Sequence, residues 1–197
     1  MAKRTNKIKS GSLFLNYFKP SIYLKSFSKI NLEGLKNAGI KVILCDLDNT
    51  LISWNQRIPT KENMIFFKAV KNYGFEFIIF SNNVKSRVEN FAKKADIQNY
   101  FWDCKKPLMG KMRLLKKILP YKENEIIMIG DQLVTDILMA NRAHIQSILV
   151  SPISRLTEDN KIITFFEKFI YKRLAQRNIL HEGFYNEGNM ENNYEIL

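Results

Sequence analysis

Acidic side chains stand directly after an apolar stretch near the end of the first third of the chain. Residues 42–54 read VILCDLDNTLISW, so four apolar residues run into Asp46 and Asp48. Side chains alternate along a strand, and these two carboxylates can therefore face the same side where the strand ends. One such carboxylate can attack phosphorus as a nucleophile while the other transfers a proton. Taken alone, an Asp pair of this kind is more often a helix cap or a turn.

Polar side chains also follow the later apolar stretches. They are Ser81, Asn82, Lys106, Asp131 and Asp136. Ligands of open parallel sheets bind beyond the carboxyl ends of the strands, so we expect these groups to meet at one rim. Crowded carboxylates repel one another and need a cation, and without a nearby His or Cys the natural choice is Mg²⁺. A lysine and a hydroxyl close by would complete a cradle for a phosphoryl group.

The elements that must position these residues alternate between strand and helix. The predicted strands are residues 41–47, 75–83, 99–103, 125–131 and 144–150. The predicted helices are residues 61–73, 84–95, 109–119 and 135–143. This alternation predicts an α/β fold in which helices cover both faces of a parallel sheet.

The motifs DLDNTL, Ser-Asn, Lys-Pro and GDQLVTD, in this order over residues 41–142, resemble those of the haloacid dehalogenase (HAD) superfamily of phosphatases. The resemblance implies a Rossmann-like three-layer sandwich with a five-stranded parallel sheet in the order 5-4-1-2-3. It also implies hydrolysis of phosphomonoesters with Mg²⁺ through an aspartyl phosphate.

The same resemblance assigns roles to individual residues. Asp46 is implied to be the nucleophile and Asp48 the acid and base. Asp46, Asp131 and the backbone carbonyl of Asp48 are implied to bind the metal, with Asp136 supporting the metal shell. The implied phosphate-binding residues are Thr50, Ser81, Asn82 and Lys106. The alternatives to Lys106 are Lys105 and then Lys111.

A finer resemblance, to the YqeG-type phosphatases of subfamily IIIA, covers about residues 14–152. It includes the arm before the DLDNTL strand and the pair Asn141-Arg142. Related phosphatases dephosphorylate phosphatidylglycerophosphate, which makes this lipid the expected substrate. The alternatives are a phosphate on a protein, a nucleic acid or a soluble ester, and, outside the enzymes, a catalytically idle binding module.

The chain divides into four segments by composition. Residues 1–40 form a basic arm with a helix that packs on the core, and residues 41–152 the catalytic domain. Residues 153–180 form a basic amphipathic helical extension, and residues 181–197 an acidic tail that we expect to be disordered.

The predicted catalytic domain has no room for a cap domain. Only residues 52–60 separate the DNTL turn from the next helix, and residues 83–105 hold a single helix. An uncapped site is open and suits a phosphate carried by something large, such as a lipid. Trp54 and Arg57 lie where a small flap would cover the site, and we expect either to contact the substrate; the alternative for Trp54 is a packing role.

Charge and composition narrow the partners and the compartment. The net charge of +12 favours anionic partners, or else a well-solvated lysine-rich surface. No reading helix, RNA-binding aromatic motif or zinc module is recognisable, so specific nucleic-acid binding is not expected. Two cysteines and the absence of a stretch of about 20 apolar residues fit a soluble cytoplasmic protein.

The extension places aromatic and aliphatic residues on one face of a helix and basic residues on the other. The apolar residues are Ile162, Phe165, Phe166, Phe169 and Ile170, and the basic ones are Lys168, Lys172, Arg173 and Arg177. This helix either lies on an anionic membrane, at its inner face, or packs its aromatic face onto the sheet domain, and the second interpretation is favoured.

Overall fold

One parallel sheet organises the fold in the computed structural model, which describes residues 11–154 and 161–186. The strands are β1 (Ile22–Leu24), β2 (Val42–Cys45), β3 (Glu76–Phe80), β4 (Asn99–Phe101), β5 (Ile126–Gly130) and β6 (Gln146–Val150). The helices are α1 (Gly11–Asn16), α2 (Leu32–Asn37), α3 (Lys61–Asn72), α4 (Lys85–Lys94), α5 (Gly110–Ile118), α6 (Leu138–Arg142) and α7 (Lys161–Ala175). The strand order is β1-β6-β5-β2-β3-β4.

The α/β, Rossmann-like class is confirmed, but the predicted sheet of five strands in the order 5-4-1-2-3 is wrong. β1 is a sixth strand, which pairs in parallel with β6 so that Ile22 lies opposite Ile148 and Leu24 opposite Val150. Without β1, the backbone of β6 would form an open sheet edge. A strand of three residues carries too little local pattern to be recognised from the sequence. Its partner also lies more than 120 residues further along the chain, so no neighbouring segment indicates the pairing.

The side chains of β2 join the three layers of the fold. Ile43 and Cys45 enter the core that α2, α3 and α4 form on one face of the sheet. Val42 and Leu44 enter the core that α5 and α6 form on the other face. A strand buried on both faces has to be apolar throughout, which explains why β2 shows no alternation of polar and apolar residues.

A third core lies at the β1 edge and holds α1 and α7 against the sheet. Leu15 from α1, Tyr23 from β1 and Leu149 from β6 contact Ile170 and Leu174 of α7 there. The arm before the catalytic domain thus supplies a strand and a helix to the same folded body.

The end of the described chain also contacts this edge. The rings of Tyr185 and Tyr23 meet edge to face at 4.9 Å, and the backbone N–H of Asn186 donates to the carbonyl of Tyr23 at 2.8 Å. Residues 187–197, most of the tail predicted to be disordered, lie outside the described residues. Within residues 11–154 and 161–186, no helix combines the length and the apolar character needed to cross a membrane.

The connections around β3 are short. Between β2 and α3 there is only a loop with one isolated bridge, between Asp48 and Ile52, and between β3 and β4 there is only α4. All of these residues are described, and none forms an additional domain over the carboxyl ends of the strands.

Candidate active site

Six of the predicted site residues line one open cavity at the carboxyl edge of the sheet, with a volume of about 970 Å³. They are Asp46, Asp48, Ser81, Asn82, Lys106 and Asp131. They converge because β2, β3, β4 and β5 are parallel neighbours, so that the segments following these strands emerge at the same edge. The other two, Thr50 and Asp136, are buried directly behind this layer. The Thr50 hydroxyl donates to Asp131 at 2.9 Å, and its predicted contact with phosphate stays a prediction.

The loop after β2 holds Asp46 in place through the backbone. The N–H of Asp46 continues the ladder between β2 and β5 by donating to the carbonyl of Ile129 at 2.9 Å. The chain then turns at Asn49, whose φ of 63° is one that asparagine tolerates better than most residues. Asn63, in the capping box of α3, donates to the carbonyl of Leu51 at 2.8 Å and anchors the far side of this turn.

Three buried carboxylates lie close together, and two of them contact the ammonium group of Lys106. Oxygen atoms of Asp46, Asp131 and Asp136 lie within 4.8 Å of one another. Lys106 Nζ donates to Asp46 Oδ1 at 2.5 Å and to Asp136 Oδ1 at 2.7 Å. With all three carboxylates ionised, the cluster keeps two negative charges, which a divalent cation would balance. Carboxylate oxygens are hard ligands suited to such a cation, so the donor set fits a metal site.

Burial dominates the electrostatics of this cluster. It raises the pKa of Asp46 to about 7, although the Lys106 ammonium opposes the shift. Burial also raises the pKa of Asp131 well above its usual value, and the neighbouring Asp136 and Asp46 raise it further. For Lys106, burial alone would lower the pKa, but Asp136 and Asp46 outweigh it and the pKa rises. A cation bound here would favour the ionised Asp46 that nucleophilic attack requires.

Asp136 belongs to the same cluster as the predicted ligands Asp46 and Asp131, although the sequence motif assigns it only a supporting role. A π-helical turn, Leu133–Ile137, folds its side chain back towards the end of β5. There the backbone N–H of Gln132 donates to Asp136 Oδ2 at 3.2 Å. Gly130 makes this approach feasible, because a Cβ atom at that position would overlap with the Asp136 side chain.

We therefore expect Gly130→Ala to push Asp136 away from Lys106. Overpacking of this kind costs about 1–3 kcal/mol in the free energy of unfolding. A displacement of about 1 Å in a catalytic group lowers activity about 100-fold. Thermal unfolding and phosphate release measure the two effects. Gly110→Ala is the matched control, since a Cβ there meets nothing within 4 Å and it should keep wild-type values. Wild-type activity in Gly130→Ala would contradict the assignment of Asp136 to the site.

Asp48 is held by two residues that the sequence analysis did not assign to the site. Asn83 Nδ2 donates to Asp48 Oδ2 at 2.8 Å, and Arg87 Nε donates to Asp48 Oδ1 at 2.7 Å. Arg87 Nη2 contacts the same Oδ1, and Arg87 Nη1 donates to the carbonyl of Gln56 at 2.8 Å. Arg87 thus joins α4, the predicted acid and base, and the loop after β2. Arg87 is the third residue of α4, and nothing in its local sequence indicated this contact.

The Ser-Asn pair after β3 serves two different structural purposes. The Ser81 hydroxyl is buried and accepts from the backbone N–H of Asn83 at 3.1 Å. Asn82 fixes the backbone of Lys106: its Oδ1 accepts from the Lys106 N–H at 2.7 Å and its Nδ2 donates to the Lys106 carbonyl at 3.1 Å. The side chain of Lys105, the alternative to Lys106, is exposed and lies 3.6 Å from Asp103.

The outer wall of the cavity is built by the loop after β2 and by α4. Trp54 and Arg57 line it, in agreement with their expected position over the site, and Asn90 and Lys94 line it from α4. Besides Arg87, which is bound to Asp48, the wall therefore carries an aromatic ring and two further cationic side chains beyond the carboxylate cluster. Such a wall suits a substrate with a second negative charge outside its scissile phosphate.

The chain matches a known family and curated relatives over most of its length. Residues 10–153 match the family described as mitochondrial PGP phosphatase. The chain is 31% identical over 158 residues to the probable phosphatase YqeG of Bacillus subtilis, covering 80% of this chain and 90% of that protein. It is 29% identical over 153 residues to the phosphatidylglycerophosphate phosphatase 1 of Arabidopsis thaliana, a chloroplastic and mitochondrial protein, covering 71% of this chain and 42% of that protein.

Solved structures are more distant. A protein from Legionella pneumophila that is described as a HAD superfamily (subfamily III A) hydrolase superposes with a TM-score of 0.46 at 16% identity. The match covers 75% of this chain and 91% of that one. The 3-deoxy-D-manno-octulosonate 8-phosphate phosphatase of Moraxella catarrhalis, solved with magnesium, phosphate and its sugar, has a TM-score of 0.41 at 20% identity. It covers 76% of this chain and 98% of that one.

Proposed function

Because this chain belongs to the family of mitochondrial PGP phosphatases and is a phosphatase of the HAD type, we propose that it hydrolyses phosphatidylglycerophosphate through an aspartyl phosphate on Asp46, with Mg²⁺ as cofactor. The observation that carries the proposal is the cluster of Asp46, Asp131, Asp136 and Lys106 beside an open cavity. The alternative substrates carry the phosphate on a protein, a nucleic acid or a soluble ester. The test below separates them from the lipid.

In the first step, a carboxylate oxygen of Asp46 attacks phosphorus, and the bond from phosphorus to the alcohol oxygen of the substrate breaks. Asp48 donates a proton to that leaving oxygen. Both oxygens of Asp48 are engaged by Arg87 and Asn83, so Asp48 has to exchange one of these partners for the leaving group. The Lys106 ammonium, in contact with Asp46, offsets the negative charge of the incoming phosphoryl group.

In the second step, Asp48 takes a proton from a water molecule, whose oxygen attacks the phosphorus of the aspartyl phosphate. The bond between phosphorus and Asp46 breaks, which regenerates the carboxylate and releases inorganic phosphate. Asp46, Asp131 and Asp136 would hold Mg²⁺, which when bound offsets negative charge on the phosphoryl group. Thr50 fixes the orientation of Asp131 through its hydrogen bond.

The choice of a lipid substrate is supported by the shape and charge of the cavity as well as by the family. In the described part of the chain, residues 11–154 and 161–186, no cap domain closes the site, so a headgroup attached to a bilayer can reach it. Phosphatidylglycerophosphate carries a phosphodiester beyond its terminal phosphate, and Arg57 and Lys94 on the outer wall can pair with that second charge. We accordingly propose a cytoplasmic enzyme that works peripherally at the inner face of the membrane.

The test is a comparison of phosphate release from vesicles containing phosphatidylglycerophosphate with release from a panel of soluble esters. The purified full chain is assayed with Mg²⁺ and with excess EDTA. We expect kcat/KM to be at least about 100-fold higher for the lipid, and EDTA to abolish release. A preference for sugar phosphates, nucleotides or phosphopeptides would remove the lipid from the proposal. A lack of release from every substrate would overturn the enzymatic assignment itself.

A further inference from the structure

Helix α7 carries a broad apolar surface, and only part of it is buried. Ile170 and Leu174 are buried in the core at the β1 edge. Beside them on the helix, Phe165, Phe166 and Phe169 are 69%, 52% and 43% exposed. The prediction that the aromatic face packs onto the sheet is therefore wrong for these three phenylalanines, because the aliphatic residues of the helix occupy the core instead. We call Phe165, Phe166 and Phe169 the aromatic surface.

Basic side chains surround the aromatic surface. Lys168, Lys172 and Arg173 are all exposed, and the Arg173 guanidinium lies 5.1 Å from the centre of the Phe169 ring. The one acidic residue of α7, Glu167, faces the other way. Its carboxylate accepts hydrogen bonds from the backbone N–H groups of Leu133 at 2.6 Å and Val134 at 3.1 Å. The exposed face of α7 is thus aromatic and cationic, without an acidic group.

We propose that the aromatic surface docks on an anionic phospholipid bilayer, an inference that rests on the proposed lipid-borne substrate. A helix with aromatic residues on its exposed face and Lys or Arg beside them lies in the interfacial layer of a membrane. The rings enter the boundary between headgroups and acyl chains, while the long basic side chains reach the phosphates. Phe14 of α1, a helix that contacts α7, is also 56% exposed.

A second copy of the chain fits this surface less well. In a twofold dimer the same patch faces itself, so Lys168, Lys172 and Arg173 would meet their own copies. No acidic side chain on the exposed face of α7 is available to pair with them. An anionic bilayer supplies negative charge evenly over the whole patch.

The docking helix is also joined to the candidate active site. Glu167 holds the backbone of Leu133 and Val134, which come two and three residues after Asp131 and begin the turn that carries Asp136. A membrane that binds α7 therefore holds the rim of the cavity at a fixed position relative to the headgroups. Binding to the membrane therefore raises the effective concentration of lipid headgroups at the cavity.

The experiment is sedimentation of the full chain with vesicles that contain no substrate, made of phosphatidylcholine alone or with phosphatidylglycerol. We expect binding to the mixed vesicles only, with weaker binding at high salt. The double variant Phe165→Ser/Phe169→Ser should bind at least about 10-fold more weakly. The variant Lys168→Gln/Lys172→Gln/Arg173→Gln should lose the preference for phosphatidylglycerol. The control Phe184→Ser removes a ring outside α7 that is 78% exposed, and it should bind like the wild type.

Two outcomes would overturn the proposal. One is equal binding by the wild type and the double phenylalanine variant. The other is a wild type that pellets with neither vesicle. If the double variant then also converts a dimer to a monomer in gel filtration, the aromatic surface is a dimer interface instead. Hydrolysis of a soluble aryl phosphate verifies that each variant is folded, because none of the changed residues lines the cavity.

The docking proposal and the proposed function fail in different ways. A chain that binds mixed vesicles but does not hydrolyse phosphatidylglycerophosphate supports docking and overturns the substrate. A chain that hydrolyses this lipid in detergent micelles but binds no vesicle supports the substrate and overturns docking.

Discussion

Asp46→Asn should abolish phosphate release, lowering kcat by about 1,000-fold or more, which is the range found when a covalent nucleophile is removed. The neutral amide is a poor nucleophile and cannot form the aspartyl phosphate. The fold should survive, because the buried carboxylate that is removed lies near two others, and Lys106 keeps its bond to Asp136 at 2.7 Å. Rapid quenching of the wild type should trap a phosphoryl group on Asp46, detectable by mass spectrometry and absent from the variant.

The matched control for this experiment is Asp103→Asn. Asp103 is an exposed aspartate in the segment after β4. Its replacement by Asn makes the same chemical change away from the cavity. It should keep wild-type activity and stability. Activity that survived in Asp46→Asn would rule out a covalent mechanism through Asp46. A phosphoryl group trapped on another residue would identify that residue as the nucleophile instead.

The site could be predicted from the sequence to the extent that strand ends determine it. Asp46, Ser81 and Asp131 each follow an apolar stretch, and parallel strands place the residues after their carboxyl ends at one edge. The contacts between them could not be predicted in the same way. Arg87 binds Asp48 from 39 residues away, and Gly130 matters only because Asp136 folds back over it. Neither fact leaves a local pattern in the sequence.

The two errors in the fold have a related cause. β1 has three residues, and its place at the sheet edge depends on the backbone of β6 rather than on its own sequence. Helix α7 has one broad apolar surface, so its periodicity does not say which part of that surface enters the core. The aliphatic face with Ile170 and Leu174 packs there, and the phenylalanines remain outside. Such choices are made by tertiary packing, which propensity and pattern describe poorly.

Lys106→Met tests the charge balance of the carboxylate cluster. The change leaves Asp46, Asp131 and Asp136 buried without a counter-ion, and loss of one partner from a buried ion pair costs about 3–5 kcal/mol. We expect this loss in the free energy of unfolding at pH 8, together with a fall in kcat/KM of at least about 100-fold because the phosphoryl group loses a cation. Urea unfolding in EDTA and phosphate release with Mg²⁺ measure the two effects. The control is Lys105→Met, the adjacent exposed lysine, which should change neither.

The loss of stability should depend on pH and on metal. The pKa of Asp46 in the folded, metal-free protein is about 7, above its unfolded value of 3.8, so the folded state binds more protons between these values. Metal-free wild type should therefore lose stability as the pH rises from 4 to 7. The deficit of Lys106→Met should be smaller at pH 5, where Asp46 is protonated, than at pH 8, where it is ionised. Mg²⁺ should restore part of the stability at pH 8 by supplying the missing positive charge. A deficit that is equal at both pH values and insensitive to Mg²⁺ would mean that Lys106 only fills space, and the carboxylate cluster would then not be the metal site.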